Sequence, residues 1–225
     1  MLKSLLQRRF FWIVFMPQTR LLPLFPLNII AFPGEQLNLH VFEPRYRQLV
    51  HECYGEQKTF GIPTFINGKL GNYGTEVELL SIEKRYPNGE MDIKTLGTKV
   101  FLLHEFYPQL PDKLYGGGQV KIIHQEDDFD PDLQNAIITE INALYQTLNL
   151  KKEIGQFRSF DIAHYVGFSS EQEYQFLQIN SERKRQLTLL EHLRRTIPII
   201  IEGERLKEKI KLNGHFKKIN PLDLE

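Results

Sequence analysis

The residues able to do chemistry in this chain are few and scattered. His51, Glu52 and Cys53 stand side by side, and four carboxylates crowd into Asp127, Asp128, Asp130 and Asp132. Three glycines run from Gly116 to Gly118, and basic residues gather as Arg183, Lys184, Arg185, Arg194 and Arg195. A zinc hydrolase places two histidines on one helical face with a glutamate between them, and His51 has no such mate. Nucleotide-driven chemistry asks for G-x-x-x-x-G-K-[ST], whose backbone amides cradle phosphates, and the glycines here are followed by no such lysine. A G-x-S-x-G elbow is missing too, although distant Ser, His and Asp side chains can still converge on a triad. The aspartates fall at a linker and a helix start, where capping and solvation account for them. On these residues the chain reads as non-enzymatic, with no metal site and no cofactor.

Cys53 is the single cysteine. No internal disulfide framework is open to it, which fits a reducing, cytoplasmic setting. Tyr46, Leu49, Val50 and Cys53 follow i, i+3, i+4, i+7, so the thiol shares the apolar stripe of a short helix and packs into a core. The chain has 225 residues with 41% apolar and 25% charged, a balance that can bury a core and excludes a disordered or fibrous class. Its 28 basic and 28 acidic residues cancel, removing the global field of a dedicated nucleic-acid or membrane-surface protein. The distribution is uneven. Residues 21–180 hold 13 Lys/Arg against 21 Asp/Glu, whereas residues 181–218 hold 11 against 5, so the C-terminal segment is locally basic.

Lys3, Arg8 and Arg9 precede an apolar run from Phe10 to Met16, an imitation of a signal peptide that is too short to span a bilayer and lacks a small-residue cleavage site. Residues 1–20 are therefore expected to be an N-terminal extension, with Met16 as an alternative start, and no membrane partner is expected.

From Leu21 to His124 short alternating runs are broken by Gly, Pro and Asn, predicting strands joined by turns. Leu37, Leu39 and Val41 alternate with Asn38, His40 and Phe42, and Pro44 opens a short helix to Cys53. Asn88-Gly89 marks a hairpin whose two central residues need positive φ. Gly116 to Gly118 are expected as a flexible approach to a last strand over Gln119 to His124. Beyond a linker at 125–130 the period becomes helical: Asp130 caps and Pro131 opens a helix carrying Leu133, Ile137, Ile141, Leu144 and Leu148 on one face. A short helix is expected over Ser159 to Val166, and a capping box at Ser170-x-x-Glu173. A longer helix bearing Leu187, Leu190, Leu193 and Ile197 should kink or end at Pro198. This order gives an α+β fold, with a β domain over 21–124 and helices over 131–218.

The segment Leu22 to Ile62 contains Pro23-Leu24-Phe25-Pro26-Leu27, Phe32-Pro33-Gly34, Phe42-Glu43-Pro44-Arg45-Tyr46 and Phe60-Gly61-Ile62, and it resembles the N-terminal substrate-recognition domain of the Lon proteases. Gly74-Thr75, Asn88-Gly89 and Gly97 continue the pattern, and the likeness covers roughly residues 21 to 212. Val100 stands where that family often carries an arginine. The resemblance implies a PUA-like β pseudo-barrel followed by a C-terminal helical bundle. It also implies a stand-alone recognition domain without the ATPase and Ser-Lys peptidase modules of full-length Lon enzymes.

A module of this kind is expected to bind exposed apolar segments of unfolded or partly exposed client polypeptides, with a separate ATPase or protease as a further partner. Phe25, Pro26, Phe32 and Pro33 are the candidates for a groove that accepts an extended peptide by strand addition, with Arg45 and Tyr46 at its rim. The alternative for the aromatics is that they fill the barrel. The alternative function is RNA binding, for which Arg183, Lys184, Arg185, Arg194 and Arg195 on the C-terminal helices would form the phosphate-binding face.

Overall fold

The computed structural model describes residues 19–56 and 58–216, and it is a mixed α/β fold built on one antiparallel sheet. The chain divides into two compact units. Of the described residues, the first comprises those from 19 to 124 together with Ser169–Gln178, and the second comprises Gln125–Phe168 and those from 179 to 216.

In the first unit the strands are β1 (Thr19–Pro23), β2 (Gln36–Val41), β3 (Phe60–Ile66), β4 (Lys69–Arg85), β5 (Met91–Tyr107) and β6 (Gly117–Ile122), with helix α1 (Pro44–Glu56) between β2 and β3. The order is β1-β6-β5-β4-β3, and β2 pairs with β5 off this path. Strands β4 and β5 are each 17 residues long, so one end of β5 serves β2 and the other serves β6. Register shifts at Glu76/Val77, Leu79/Ser81 and Leu103/Glu105 are bulges, and bulges bend and twist long strands. Parallel bridges Leu24↔Gly61 and Leu27↔Thr64 then join the segment after β1 to β3. Two apolar clusters fill the unit, one around Phe25, Tyr46, Phe60 and Met91, the other around Leu22, Phe101, Leu103 and Val120. Helix α1 buries Tyr46, Leu49, Val50 and Cys53, the stripe its spacing predicts.

The Asn88-Gly89 turn differs from the sequence reading. Pro87 fixes a negative φ at the first central position, so Gly89 N–H donates to the Tyr86 carbonyl at 2.9 Å and only Gly89 takes a positive φ, of 85°. The turn with two positive φ values is instead Asn67-Gly68, at 51° and 73°, which closes β3 onto β4. Gly117 and Gly118 are not a flexible approach, because they are buried within β6. A Cβ on Gly118 would lie 2.4 Å from Leu103 Cδ1 and 2.6 Å from the Glu105 carbonyl oxygen. Gly118→Ala is accordingly expected to cost about 1–3 kcal/mol of folding free energy, read as a lowered urea midpoint at unchanged m.

Helix α4 (Ser170–Leu177) packs with the sheet of the first unit. The Tyr73 N–H donates to the Tyr174 hydroxyl at 3.0 Å, the Asn67 amide donates to Glu171 at 2.7 Å, and Phe176 meets the Phe32 ring edge to face. Its capping box is Ser169 with Gln172, one residue earlier than expected.

The second unit holds α2 (Pro131–Thr147), α3 (Ser159–Ile162), a 3-10 turn over Ala163–Tyr165 and α5 (Glu182–Phe216). The Asp130 carboxylate accepts from the Asp132 and Leu133 N–H groups and caps α2. Helix α5 runs through Pro198 and does not end there. Pro198 is solvent-exposed, so its ring displaces one backbone hydrogen bond where water can replace it. Residues 125–130 are tied down: the Ser181 hydroxyl donates to Asp128, the Asp130 N–H donates to Gln186, and Arg185 reaches Gln125. Among the described residues no helix is long and apolar enough to cross a membrane.

Candidate functional site

The residues expected to form a groove do not share one place. Phe25 stacks on Tyr46 with centroids 3.9 Å apart, and the Arg45 guanidinium lies 4.5 Å from the Tyr46 centroid on the solvent side. Phe25 and Tyr46 are both buried. Arg45 is exposed and holds Glu43 at 2.8 Å, and burial pushes the Tyr46 phenol up. Phe32 is elsewhere, fully buried and against Phe176. Pro26 and Pro33 are half-buried.

The backbone beside Phe25 and Pro26 is also spoken for. The Phe25 N–H donates to Gly61 at 2.8 Å, and the Phe65 N–H donates to Leu27 at 2.7 Å. The expected open edge is closed there by β3. The chain after Pro26 runs parallel to β3, a pairing that local sequence does not display.

An open edge is found instead on β2. Among the described residues β2 pairs with β5 alone, so half of its backbone groups point away from any strand. Leu37, Leu39 and Val41 pack inward, and the opposite parity carries His40 and Phe42 outward. Phe42 is 59% exposed and lies 6.2 Å from the His40 ring, which in turn meets Tyr86 edge-on at 5.7 Å. His40 Nδ1 sits 2.7 Å from Asp92 and Nε2 sits 3.3 Å from Glu90. The hydrogen bond to Asp92 raises the imidazole above its ordinary value, and the same bond holds the Asp92 carboxyl below the usual range. The strand thus presents an aromatic strip fixed by charged groups beside an unpaired edge. The signal for Phe42 was in the sequence, since the alternation that buries Leu37 and Leu39 must turn Phe42 outward.

The basic candidates are largely paired. Arg185 is buried, bonded through Nη2 to Glu182 at 2.8 Å and stacked 4.1 Å from the Phe160 centroid, so it faces no phosphate. Arg183 meets Asp130 at 3.1 Å, Arg194 donates to Glu140 at 2.9 Å, and Arg195 donates to the Glu191 carbonyl at 3.3 Å. Lys184 is exposed. The spacing of these residues predicts a basic face, but Asp130 and Glu140 are brought opposite Arg183 and Arg194 from distant segments, and Glu182 neutralises Arg185 from within the same helix.

No group of three or more His, Cys, Asp or Glu able to hold a metal occurs among the described residues. Cys53 is buried and its thiol is pushed up to about 11 by desolvation, which leaves it protonated and a poor nucleophile at neutral pH. In the second unit an apolar recess of about 210 Å³ opens between α2 and α5, walled by Ile141, Tyr145, Leu193 and Ile197.

An unpaired strand edge beside exposed aromatic rings is the geometry of a peptide-recognition surface. The chain belongs to the family of the ATP-dependent protease La (LON) substrate-binding domain, whose profile matches residues 21–195. Among solved structures it is similar to a Lon N-terminal domain protein from Xanthomonas campestris, at 27% identity and a TM-score of 0.60, with 76% of this chain and 97% of that one covered. The N-terminal domain of the Mycobacterium avium complex Lon protease shares the fold at 12% identity and a TM-score of 0.56, with 77% and 98% covered. No curated protein matches the chain. These likenesses are to the substrate-binding domain and not to a catalytic module.

Proposed function

We propose that the protein is a non-catalytic module that binds exposed apolar segments of client polypeptides by strand addition to the outer edge of β2. The observation that carries this reading is the unpaired β2 edge running into the exposed Phe42 ring. An extended segment gains main-chain hydrogen bonds from such an edge and places alternate side chains on the neighbouring strip of Phe42, His40 and Tyr86. Arg45, three residues beyond Phe42, is the exposed member of the expected groove residues, and its guanidinium, shared with Glu43 at the surface, would exchange that solvated partner for a client carboxylate. The recess between α2 and α5 is a second place for an apolar client side chain. On this reading the β unit is a PUA-like pseudo-barrel and the second unit its helical bundle. The setting is cytoplasmic, and a separate ATPase or protease acts on what is bound.

RNA binding is disfavoured by the internal pairing of Arg183, Arg185 and Arg194. The test is a titration of the full chain against a labelled unfolded polypeptide and a labelled structured RNA at two salt concentrations. Phe42→Ala is expected to weaken polypeptide binding about tenfold, some 1.4 kcal/mol, at unchanged melting temperature. Polypeptide affinity untouched by Phe42→Ala and by Asn38→Pro, which removes an edge N–H, refutes the β2 site. Tight RNA binding that falls steeply with salt would replace the reading altogether.

A further inference from the structure

Helix α5 spans 35 residues, and its first half is the buried part: Leu189, Leu190, Leu193 and Ile197 face the interior of the second unit. Past Pro198 one row of apolar side chains turns outward, while Ile200 still lines the recess against α2. Ile199 is 72%, Leu206 50% and Ile210 70% exposed. Their spacing is ordered, because positions 199, 203, 206 and 210 alternate steps of four and three residues, the seam of a two-stranded coil. A solvated helical stretch is marginal by itself and gains its stability from packing such a seam.

Size and charge point to what covers it. In a parallel pairing of two copies, Gly203 would face Gly203 and leave a gap in the middle of the seam. In an antiparallel pairing Leu206 of one copy lies opposite Gly203 of the other, and Ile199 lies opposite Ile210, so large side chains meet small ones and two-fold symmetry repeats every contact. The same register sets Glu202 of one copy against Lys209 of the other on the flank of the seam, again twice. Within its own helix Glu202 has only Arg205 at 3.8 Å, a solvated pair of little strength, so it is available for the cross-copy contact.

We propose that the distal half of α5 is a self-association surface on which two copies of this chain pair as a short antiparallel coiled coil, with Leu206 packed on Gly203 and Glu202 facing Lys209. The inference is independent of what the β2 edge binds. Two heptads give a weak dimer that forms and separates with concentration.

Sedimentation of the full chain from micromolar to submillimolar concentration tests it. The wild type is expected to pass from monomer to dimer. Leu206→Asp should weaken association by about tenfold or more while the far-ultraviolet circular dichroism is unchanged. Glu202→Lys should weaken it several-fold by setting two lysines together, and Glu202→Lys with Lys209→Glu should restore it. A wild type that stays monomeric throughout, or a dimer indifferent to Leu206→Asp, overturns the proposal. So does rescue of Glu202→Lys by Lys207→Glu instead of Lys209→Glu, because that pattern belongs to a parallel pair.

Discussion

Replacing Phe32 with alanine is expected to lower the folding free energy by about 3–5 kcal/mol and to leave polypeptide affinity, per folded molecule, unchanged. Phe32 has no solvent exposure and its ring meets Phe176 at 6.2 Å, so the substitution opens a cavity beneath helix α4. The Phe32 N–H donates to the Glu35 carboxylate at 2.9 Å and the Gly34 N–H donates to Gly97 at 2.9 Å, so the turn that carries the ring is fixed and cannot collapse far into the void. Phe25→Ala is expected to behave alike, since its ring is clamped between Tyr46 and Phe60. Urea unfolding followed by circular dichroism measures the loss, and a titration of the surviving folded protein measures binding. A near-wild-type unfolding midpoint combined with a large drop in affinity would return both phenylalanines to the role of groove walls.

Arg185→Ala is expected to destabilise the second unit by about 3–5 kcal/mol, because it strands the buried Glu182 carboxylate without its cation. Glu182 accepts from the Ser159 N–H and hydroxyl at 2.9 Å each, while Arg185 donates to Glu182, Gln125 and the Ile179 carbonyl. This one pair therefore fastens α3, the 125–130 segment and the start of α5. Removing both charges as Glu182→Gln with Arg185→Met should cost clearly less than Arg185→Ala, as a double-mutant cycle would register. Equal losses for the two variants would mean that the stranded Glu182 charge is not what makes Arg185→Ala costly. Loss of an RNA signal in Arg185→Ala would be unfolding and no evidence of a phosphate contact.

Local pattern made much of this legible. The stripe of Tyr46, Leu49, Val50 and Cys53 names the buried face of α1, and Asp130-Pro131 marks where α2 begins. What escaped the sequence is what depends on distant partners. Arg185 belongs to a run that reads as a solvated basic face, and although Glu182 lies one helical turn before it, only the fold brings Gln125 and Phe160 around the pair and buries it. Gly117 and Gly118 read as slack, yet they are small because Leu110 and Leu103 press on them. The Phe25-Pro26 edge reads as open, and β3 closes it through hydrogen bonds 36 residues away in the chain, from Phe25 to Gly61. Phe42 is the opposite case: strict alternation with Leu37, Leu39 and Val41 gives its outward direction, whereas the family motif favours Phe25 and Phe32 earlier in the chain.

The placement of α4 bears on how the protein is made. Residues 169–178 complete the first unit although 44 residues, 125–168, intervene after His124. A ribosome releases the six strands well before it releases Tyr174 and Phe176, so the nascent sheet waits with its Phe32 side unroofed until the later helix arrives. That interval is when the chain is itself an exposed apolar segment. Any fragment cut at His124 is held in the same unfinished state.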